Sequence, residues 1–443
     1  MKNFRNFFFT QRFYYLIWGS VVLFLLSLPL PWLLLPAKLG ALSIWVCVFA
    51  EVAILWKQKN GIVGERNVPE RFSNGDENPV KIVLENQYPF TANIEVLEEY
   101  PEQFQIRDQV ITLSIPRGET RTINYQLRPV KRGEYHFGAV NIFVMGILGL
   151  ISRRYKFSEG DMVPVYPSFL QMRQYELMAI SNRLTEIGVK KLRKLGMSSE
   201  FEQIRPYVQG DDPRKVNWSA TARRNELMIN NFQDERSQQV YCLIDKGRVM
   251  QMPFNGMSLL DYAINASLVI SNTALLKGDK AGIITFSNQI GNILPADRKL
   301  THIRKIQEIL YNQKTLYKES DFELLYSTLK HKINQRSLVL LFTNFETTES
   351  LKRQLFYLRK IARHHLLVVV FFENSEISRV IDSTPKNVED IYVKTIAEKF
   401  MTGKRLIVKE LSKYGIQTVL AQPENITVGV INKYLELKAR GSI

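Results

Sequence analysis

Residues 13–37 carry no charge, a run of 25 rich in Leu, Val, Phe and Trp, and nothing else in the chain restricts its folding as much. As one helix the run would reach about 37 Å, more than a hydrocarbon core of about 30 Å. Pro29, Pro31 and Pro36 fall at its far end, where helices stop and turn. After Lys38, residues 39–56 form a second apolar run of 18, broken only by Glu51. The pattern predicts a transmembrane helical hairpin over residues 1–60. A signal peptide would be shorter, would end in small residues and would not be followed at once by a second span. Glu51, near a span end, reads as a tolerated terminal charge or as a helix-contact residue.

Positive charge orients the hairpin. Lys2, Arg5 and Arg12 precede it, Lys57, Lys59 and Arg66 follow it, and the turn holds only Lys38, so both termini are expected in the cytoplasm, at a bacterial inner membrane. The whole chain of 443 residues has a formal charge of +16. Residues 1–60 contribute +5, residues 61–165 contribute −2 and residues 166–443 contribute +13. In a tethered protein that excess suits anionic lipid. The aromatic and basic interleaving of nucleic-acid modules is missing, so no nucleic-acid partner is expected. Cys47 and Cys242 are the only cysteines. Two thiols make neither a disulfide framework nor a four-thiolate metal site, and both sit in apolar runs as small hydrophobes.

Residues 61–165 change character. Short, mostly alternating apolar stretches such as Val80-Lys81-Ile82-Val83-Leu84 and Val140-Asn141-Ile142-Phe143-Val144 are separated by turn signals such as Pro116-Arg117-Gly118. This spacing predicts an antiparallel, immunoglobulin-like β-sandwich. The run Gly146-Ile147-Leu148-Gly149-Leu150 reads as a tight turn over the core or as a membrane-facing patch.

Residues 166–238 read as a helical arm and an Arg–Asp segment. The arm, residues 169–195, ends in Lys190-Lys191-Leu192-Arg193-Lys194, cations that suit a helix C-terminus. In the segment after it, Asp212 before Pro213 predicts a helix start, with the helix running to about Arg224. Arg205, Tyr207, Asp211, Asp212, Arg214, Trp218, Arg223 and Arg224 form the candidate network. Arginine–carboxylate pairing would lock a loop against a core, and the same residues would serve as a docking face for a protein or as an anion site.

From residue 239 to 443 near-continuous apolar strands, such as Gln239-Val240-Tyr241-Cys242-Leu243-Ile244 and Ser337-Leu338-Val339-Leu340-Leu341-Phe342-Thr343, alternate with helical patterns. That predicts a mainly parallel, doubly wound α/β sheet with helices on both faces. Sites in such sheets form beyond the strands' carboxyl ends, where Asp245 and Asn344 stand.

The ordered run of Arg205-Pro206-Tyr207, Gly210-Asp211-Asp212-Pro213-Arg214, Asn217-Trp218 and Thr221-Ala222-Arg223, followed by the strand that ends in Asp245 and by Gly247-Arg248, resembles the bacterial family called domain of unknown function fifty-eight. The hairpin and the Arg132-Gly133-Glu134-Tyr135 segment resemble it too. The resemblance implies a von Willebrand factor type A-like carboxyl half. It also implies partners, a MoxR-type AAA+ ATPase and other type A domain proteins, in assembly or maturation of other complexes. Type A folds often hold a divalent cation on Asp-x-Ser-x-Ser plus a Thr and an Asp, because hard cations take oxygen ligands. Here the run is Asp245-Lys246-Gly247-Arg248-Val249, and Asn344 stands where an Asp is expected. Asp245 and Asn344 are therefore degenerate metal-site positions, and no metal or other cofactor is expected. Asp245 reads instead as a structural carboxylate paired with Arg248 or with the Arg–Asp segment.

These residues favour a non-enzymatic, membrane-anchored scaffold or adaptor. The alternatives are a metal-dependent adhesion-type binding module and an uncharacterised hydrolase. Against the hydrolase, the five histidines are scattered, no P-loop is present, and Ser198-Ser199 beside Glu200 is a helix-cap signal.

Overall fold

A computed structural model describes residues 6–107, 109–180, 200–208, 211, 213, 216–233, 237–385 and 387–441. The chain forms two compact units, Met1–Val165 and Tyr166–Ile443. The order is a helical N-terminal region, a many-stranded β-sandwich region and a mixed α/β carboxyl region.

The first unit begins with strand β1 (Phe7–Phe9), then helices α1 (Gln11–Leu26) and α2 (Leu34–Lys57). The charge-free run is thus not one helix. Its first helix has 16 residues, about 24 Å. Ser27 ends it, with its Oγ donating to the Phe24 carbonyl at 2.6 Å. Pro29 and Pro31 lack the N–H donors that would carry the helix on, and a 3-10 turn at Pro31–Leu33 intervenes. Lys38, expected in the turn, lies inside α2, and Pro36 occupies its first turn, where a missing donor costs little. The continuous helical stretch Pro31–Lys57 is long and apolar enough to cross a membrane. Its side chains, and those of α1, are largely bare: Trp18, Trp32, Leu35, Leu39, Leu42 and Phe49 are all exposed. Leu259–Leu276 meets the same length and composition test, yet it is a core helix, buried inside the second unit.

Ten more strands complete this unit: β2 (Ile62–Asn67), β3 (Phe72–Ser73), β4 (Asn78–Asn86), β5 (Ala92–Glu98), β6 (Val110–Ile115), β7 (Thr120–Leu127), β8 (Gly133–His136), β9 (Val140–Met145), β10 (Ile151–Phe157) and β11 (Met162–Tyr166). They form sheets of order β1-β10-β9-β5-β6, β2-β4-β7 and β3-β11-β8. Along β4, Val80, Ile82 and Leu84 are buried while Pro79, Lys81 and Glu85 are exposed, as the two-residue period of a half-covered strand requires. The helices share this core, since Phe13, Val48 and Leu55 pack with Ile62, Ile94, Ile142 and Ile151. Glu51 is no tolerated end charge. It is buried, and its Oε1 accepts from the backbone N–H groups of Leu148 (2.5 Å) and Gly149 (2.8 Å). Its Oε2 accepts from Leu150 (3.0 Å) and Ile151 (3.1 Å). A Cβ at Gly146 would lie 2.5 Å from the Glu51 Cδ, so the turn can wrap this carboxylate only with glycine there. Arg153 closes the carboxyl end of α2, donating to the carbonyls of Gln58 (2.7 Å) and Lys59 (3.0 Å) with its guanidinium over Trp56.

The second unit contains α3 (Phe169–Ile180) and a hairpin of β12 (Glu200–Pro206) and β13 (Met228–Gln233) enclosing α4 (Trp218–Arg224). There follow β14 (Gln239–Asp245), the short pair β15 (Pro253–Phe254) and β16 (Met257–Ser258), α5 (Leu259–Leu276), β17 (Lys280–Phe286) and β18 (Ile290–Asp297). Then come α6 (His302–Tyr311), α7 (Phe322–Lys332), β19 (Leu338–Phe342), α8 (Thr348–His364), β20 (Leu366–Phe372), α9 (Ser375–Asp382), α10 (Val388–Ser412), β21 (Gln417–Ala421) and α11 (Ile426–Ala439). The six-stranded sheet has the order β18-β17-β14-β19-β20-β21, parallel except for the antiparallel edge strand β18. Residues on β14 alternate between its faces. Tyr241 and Leu243 pack in a cluster with residues of α7, α8 and α10, and Cys242 meets Ser271 of α5. The chain leaves β14 toward β17 on one side and places β19 on the other, so the sheet's switch point lies between Asp245 and Thr343.

Candidate functional site

Asp245 ends β14 at the bottom of that switch point and is fully buried. Its Oδ1 accepts from the Gly247 N–H at 2.8 Å and from the Ser320 hydroxyl. Its Oδ2 accepts from the Thr343 hydroxyl at 2.7 Å. Among the described residues, the pairing expected from sequence with Arg248 or the Arg–Asp segment is not made. Arg248 is exposed, and the loop before α7 supplies Ser320 instead. A Cβ at Gly247 would stand 2.2 Å from the Ser320 Oγ, so Gly247 is what lets Ser320 reach the carboxylate. Burial pushes the Asp245 carboxyl up, against the hydrogen bonds from Ser320, Thr343 and Gly247, which pull it down. The loop after β14 itself offers a divalent cation one carboxylate, since Gly247 and Val249 bring no side-chain oxygen and Lys246 and Arg248 flank it with positive charge. Among the described residues no three His, Cys, Asp or Glu side chains converge.

Asn344, the other strand-end residue, points elsewhere. It is buried, and its Oδ1 accepts from the Lys404 ammonium of α10 at 2.5 Å. Both belong to a cavity of about 380 Å³ beyond the carboxyl ends of β19 and β20. Its walls include Phe254, Phe372, Ile377, Phe400 and Met401, and its polar groups include Lys404, Glu346 and Glu373. Desolvation brings the Lys404 ammonium down to about 8, while Glu346 and Glu373 pull the other way. Sequence reasoning missed Ser320, Lys404, Glu346 and Glu373. The one signal available was position, since Glu373 immediately follows an apolar strand and Glu346 comes four residues after another.

The Arg–Asp segment is a hairpin and not a loop locked on a core. Arg205 on β12 grips Asp211 with two parallel bonds of 2.7 and 2.8 Å, and Asp211 also accepts from the Val208 N–H at 3.0 Å. The Tyr207 hydroxyl donates to the Asp211 carbonyl at 3.3 Å. Helix α4 starts at Trp218 with Asn217 as its cap, accepting from the Ala220 N–H. The start expected at Asp212 lies outside the described residues. The Asn217 amide also donates to Asn230 across the hairpin at 2.8 Å, which fixes the cap of α4. Asp212, Arg214 and the basic residues 190–194 lie outside the described residues. Arg223 and Arg224 reach no carboxylate among the described residues. They stand exposed on α4, as does Trp218, which is 72% exposed.

Comparison with known proteins identifies the surroundings of this site. The family described as Protein of unknown function DUF58 matches residues 203–381, which bears out the resemblance read from the Arg–Asp run over that span. Over 238 residues the chain is 28% identical to the Uncharacterized protein YeaD of Bacillus subtilis (strain 168), covering 52% of this chain and 56% of the relative. The match thus spans little more than half the relative's length. Among solved structures, the conserved hypothetical protein BatB from Bacteroides thetaiotaomicron is similar with a TM-score of 0.30 and 13% identity, covering 46% of this chain and 100% of that one. The ASH / PapD-like domain of human CEP192 is similar with a TM-score of 0.19 and 10% identity, covering 25% and 87%.

Proposed function

We propose that the chain is a membrane-anchored adaptor of the bacterial inner membrane, with two spans and both termini in the cytoplasm, that presents a von Willebrand factor type A-like domain to protein partners. The belt of bare apolar side chains on α1 and α2 carries this reading. Such a continuous greasy surface is costly in water and is satisfied by lipid. The first helix is short for a bilayer, and the apolar residues of the turn, Leu28, Leu30 and Trp32, extend the buried length. The basic excess of the second unit adds attraction to anionic lipid.

The adaptor role rests on what the strand ends offer. Asp245 is committed to holding its own loops, with both its oxygens taken by Ser320, Thr343 and the Gly247 N–H. The exposed Trp218, Arg223 and Arg224 on α4 are residue types that anchor interfaces. The partner that the family resemblance favours is a MoxR-type AAA+ ATPase, with other type A domain proteins in the same assembly. Crosslinking of the full chain in native membranes, followed by mass spectrometry, tests this. An ATPase crosslinked near α4, and lost in Trp218→Ala with Arg223→Ala, supports the adaptor. Full-length protein washed from membranes by alkaline carbonate, or an unchanged crosslink pattern in the double variant, overturns it.

A further inference from the structure

We propose that the cavity beyond β19 and β20 binds a free apolar α-amino acid, with the ligand carboxylate on Lys404, its ammonium on Glu346 and Glu373, and its side chain among Phe254, Phe372 and Phe400. A volume of about 380 Å³ is at the small end of ligand pockets, which run from roughly 300 to 1,000 Å³. Apolar walls with a few convergent polar groups are the usual make-up of such pockets. Position agrees, because ligands of open α/β sheets gather beyond strand carboxyl ends.

The charges select the class of ligand. The Lys404 ammonium is hydrogen-bonded to a neutral amide oxygen, and no carboxylate among the described residues comes within bridging distance of it. A partly buried cation with no anion in bridging range is costly until one joins it. Glu346 and Glu373 line the same cavity, and among the described residues neither side chain is in an ion pair. A simple carboxylic acid would satisfy Lys404 and face two unpaired acids. A simple amine would satisfy the acids and leave Lys404 as it is. A zwitterion with an apolar side chain satisfies all three groups and the walls. The assignment uses none of the residues on which the adaptor reading depends, so either can fail alone.

Isothermal titration calorimetry on the full chain in lipid nanodiscs tests it, with L-phenylalanine and L-leucine as ligands. N-acetyl-L-phenylalanine stands in for the last residue of a peptide and L-phenylalanine amide for the first. The free amino acids should bind, and each blocked compound should bind at least about tenfold more weakly, since each gives up a hydrogen bond between charged groups. Lys404→Met should bring phenylalanine and its amide to equal affinity, and Glu373→Gln should narrow the gap to the acetylated compound. Circular dichroism and the unfolding midpoint establish that each variant is folded. Met252→Trp, at the exposed rim of the cavity, should block binding without touching Lys404. The proposal is overturned if neither amino acid binds at millimolar concentration. It is also overturned if a blocked compound binds as tightly as the free acid, or if folded Lys404→Met keeps the preference.

Discussion

Glu51 and Asp245 are both buried carboxylates, one in each unit, and among the described residues neither has a cationic side chain in bridging range. Glu51 is held by four backbone N–H groups of one turn, residues 148–151. Asp245 is held by two hydroxyls and one backbone N–H drawn from three loops. Backbone donors are present whatever the side chains, so Glu51 recognises the path of the turn and needs only glycine to let it close. Hydroxyl donors are a matter of sequence, so Asp245 depends on Ser320, Thr343 and the bare Gly247 together. A carboxylate satisfied by backbone is a clasp. One satisfied by hydroxyls at a sheet's switch point is a knot that ties three loops together.

The contrast makes its largest prediction at Glu51. Glu51→Ala should cost the first unit about 3–5 kcal/mol, because four buried donors lose their acceptor. Hydrogen exchange should show the amides of residues 148–151 losing protection, and amides as protected as in the parent would break the comparison. Asp245→Ala should cost the second unit about 2–4 kcal/mol in denaturant unfolding, and Asp245→Asn about 1–2, since the amide keeps one acceptor oxygen. Gly247→Ala should cost about 1–3 kcal/mol through overpacking against Ser320. Much of that loss should be recovered in the double variant with Ser320→Ala, and a double-mutant cycle with no coupling would separate the two residues.

Titration sharpens the same contrast. The Asp245 carboxyl lies higher in the folded chain than the roughly 3.9 of an unfolded aspartate, so over that window the native state keeps a proton the unfolded chain has lost. Stability of the second unit should therefore fall as pH rises from about 4 through the raised value, and then level off. Asp245→Asn should flatten that slope. The smallest effect belongs to Arg205→Ala on the surface hairpin, which should lower the denaturant midpoint only slightly, and less than any variant above.

Much of the architecture could be read from local pattern, because local pattern produces it. The alternation along Val80, Ile82 and Leu84 and the unbroken apolar runs at residues 240–244 and 338–342 announce a half-covered strand and two buried ones. What escaped was set over distance. Glu51 meets its donors 97 to 100 residues away, and Ser320 reaches Asp245 across 75. No local period encodes such pairings. The edge strand Ile290–Asp297 escaped for another reason: Gly291, Asn292 and Ile293 are all exposed, so little apolar signal marks it. The break in the first apolar run was marked by its prolines, and its place was misjudged because Pro36 is tolerated at a helix start where Pro31 is not tolerated inside one.

Strand β1 is stitched to β10 by Phe7, Phe8 and Phe9, while the far end of α2 is clamped by Glu51 and Arg153. The helical pair therefore stands with both feet on one sheet. A hairpin anchored at one foot would swivel freely, but here any tilt or twist of the helices must bend the sandwich as well. Tension or rotation imposed on the apolar pair is delivered to the strands below it as torque rather than lost in a loose hinge.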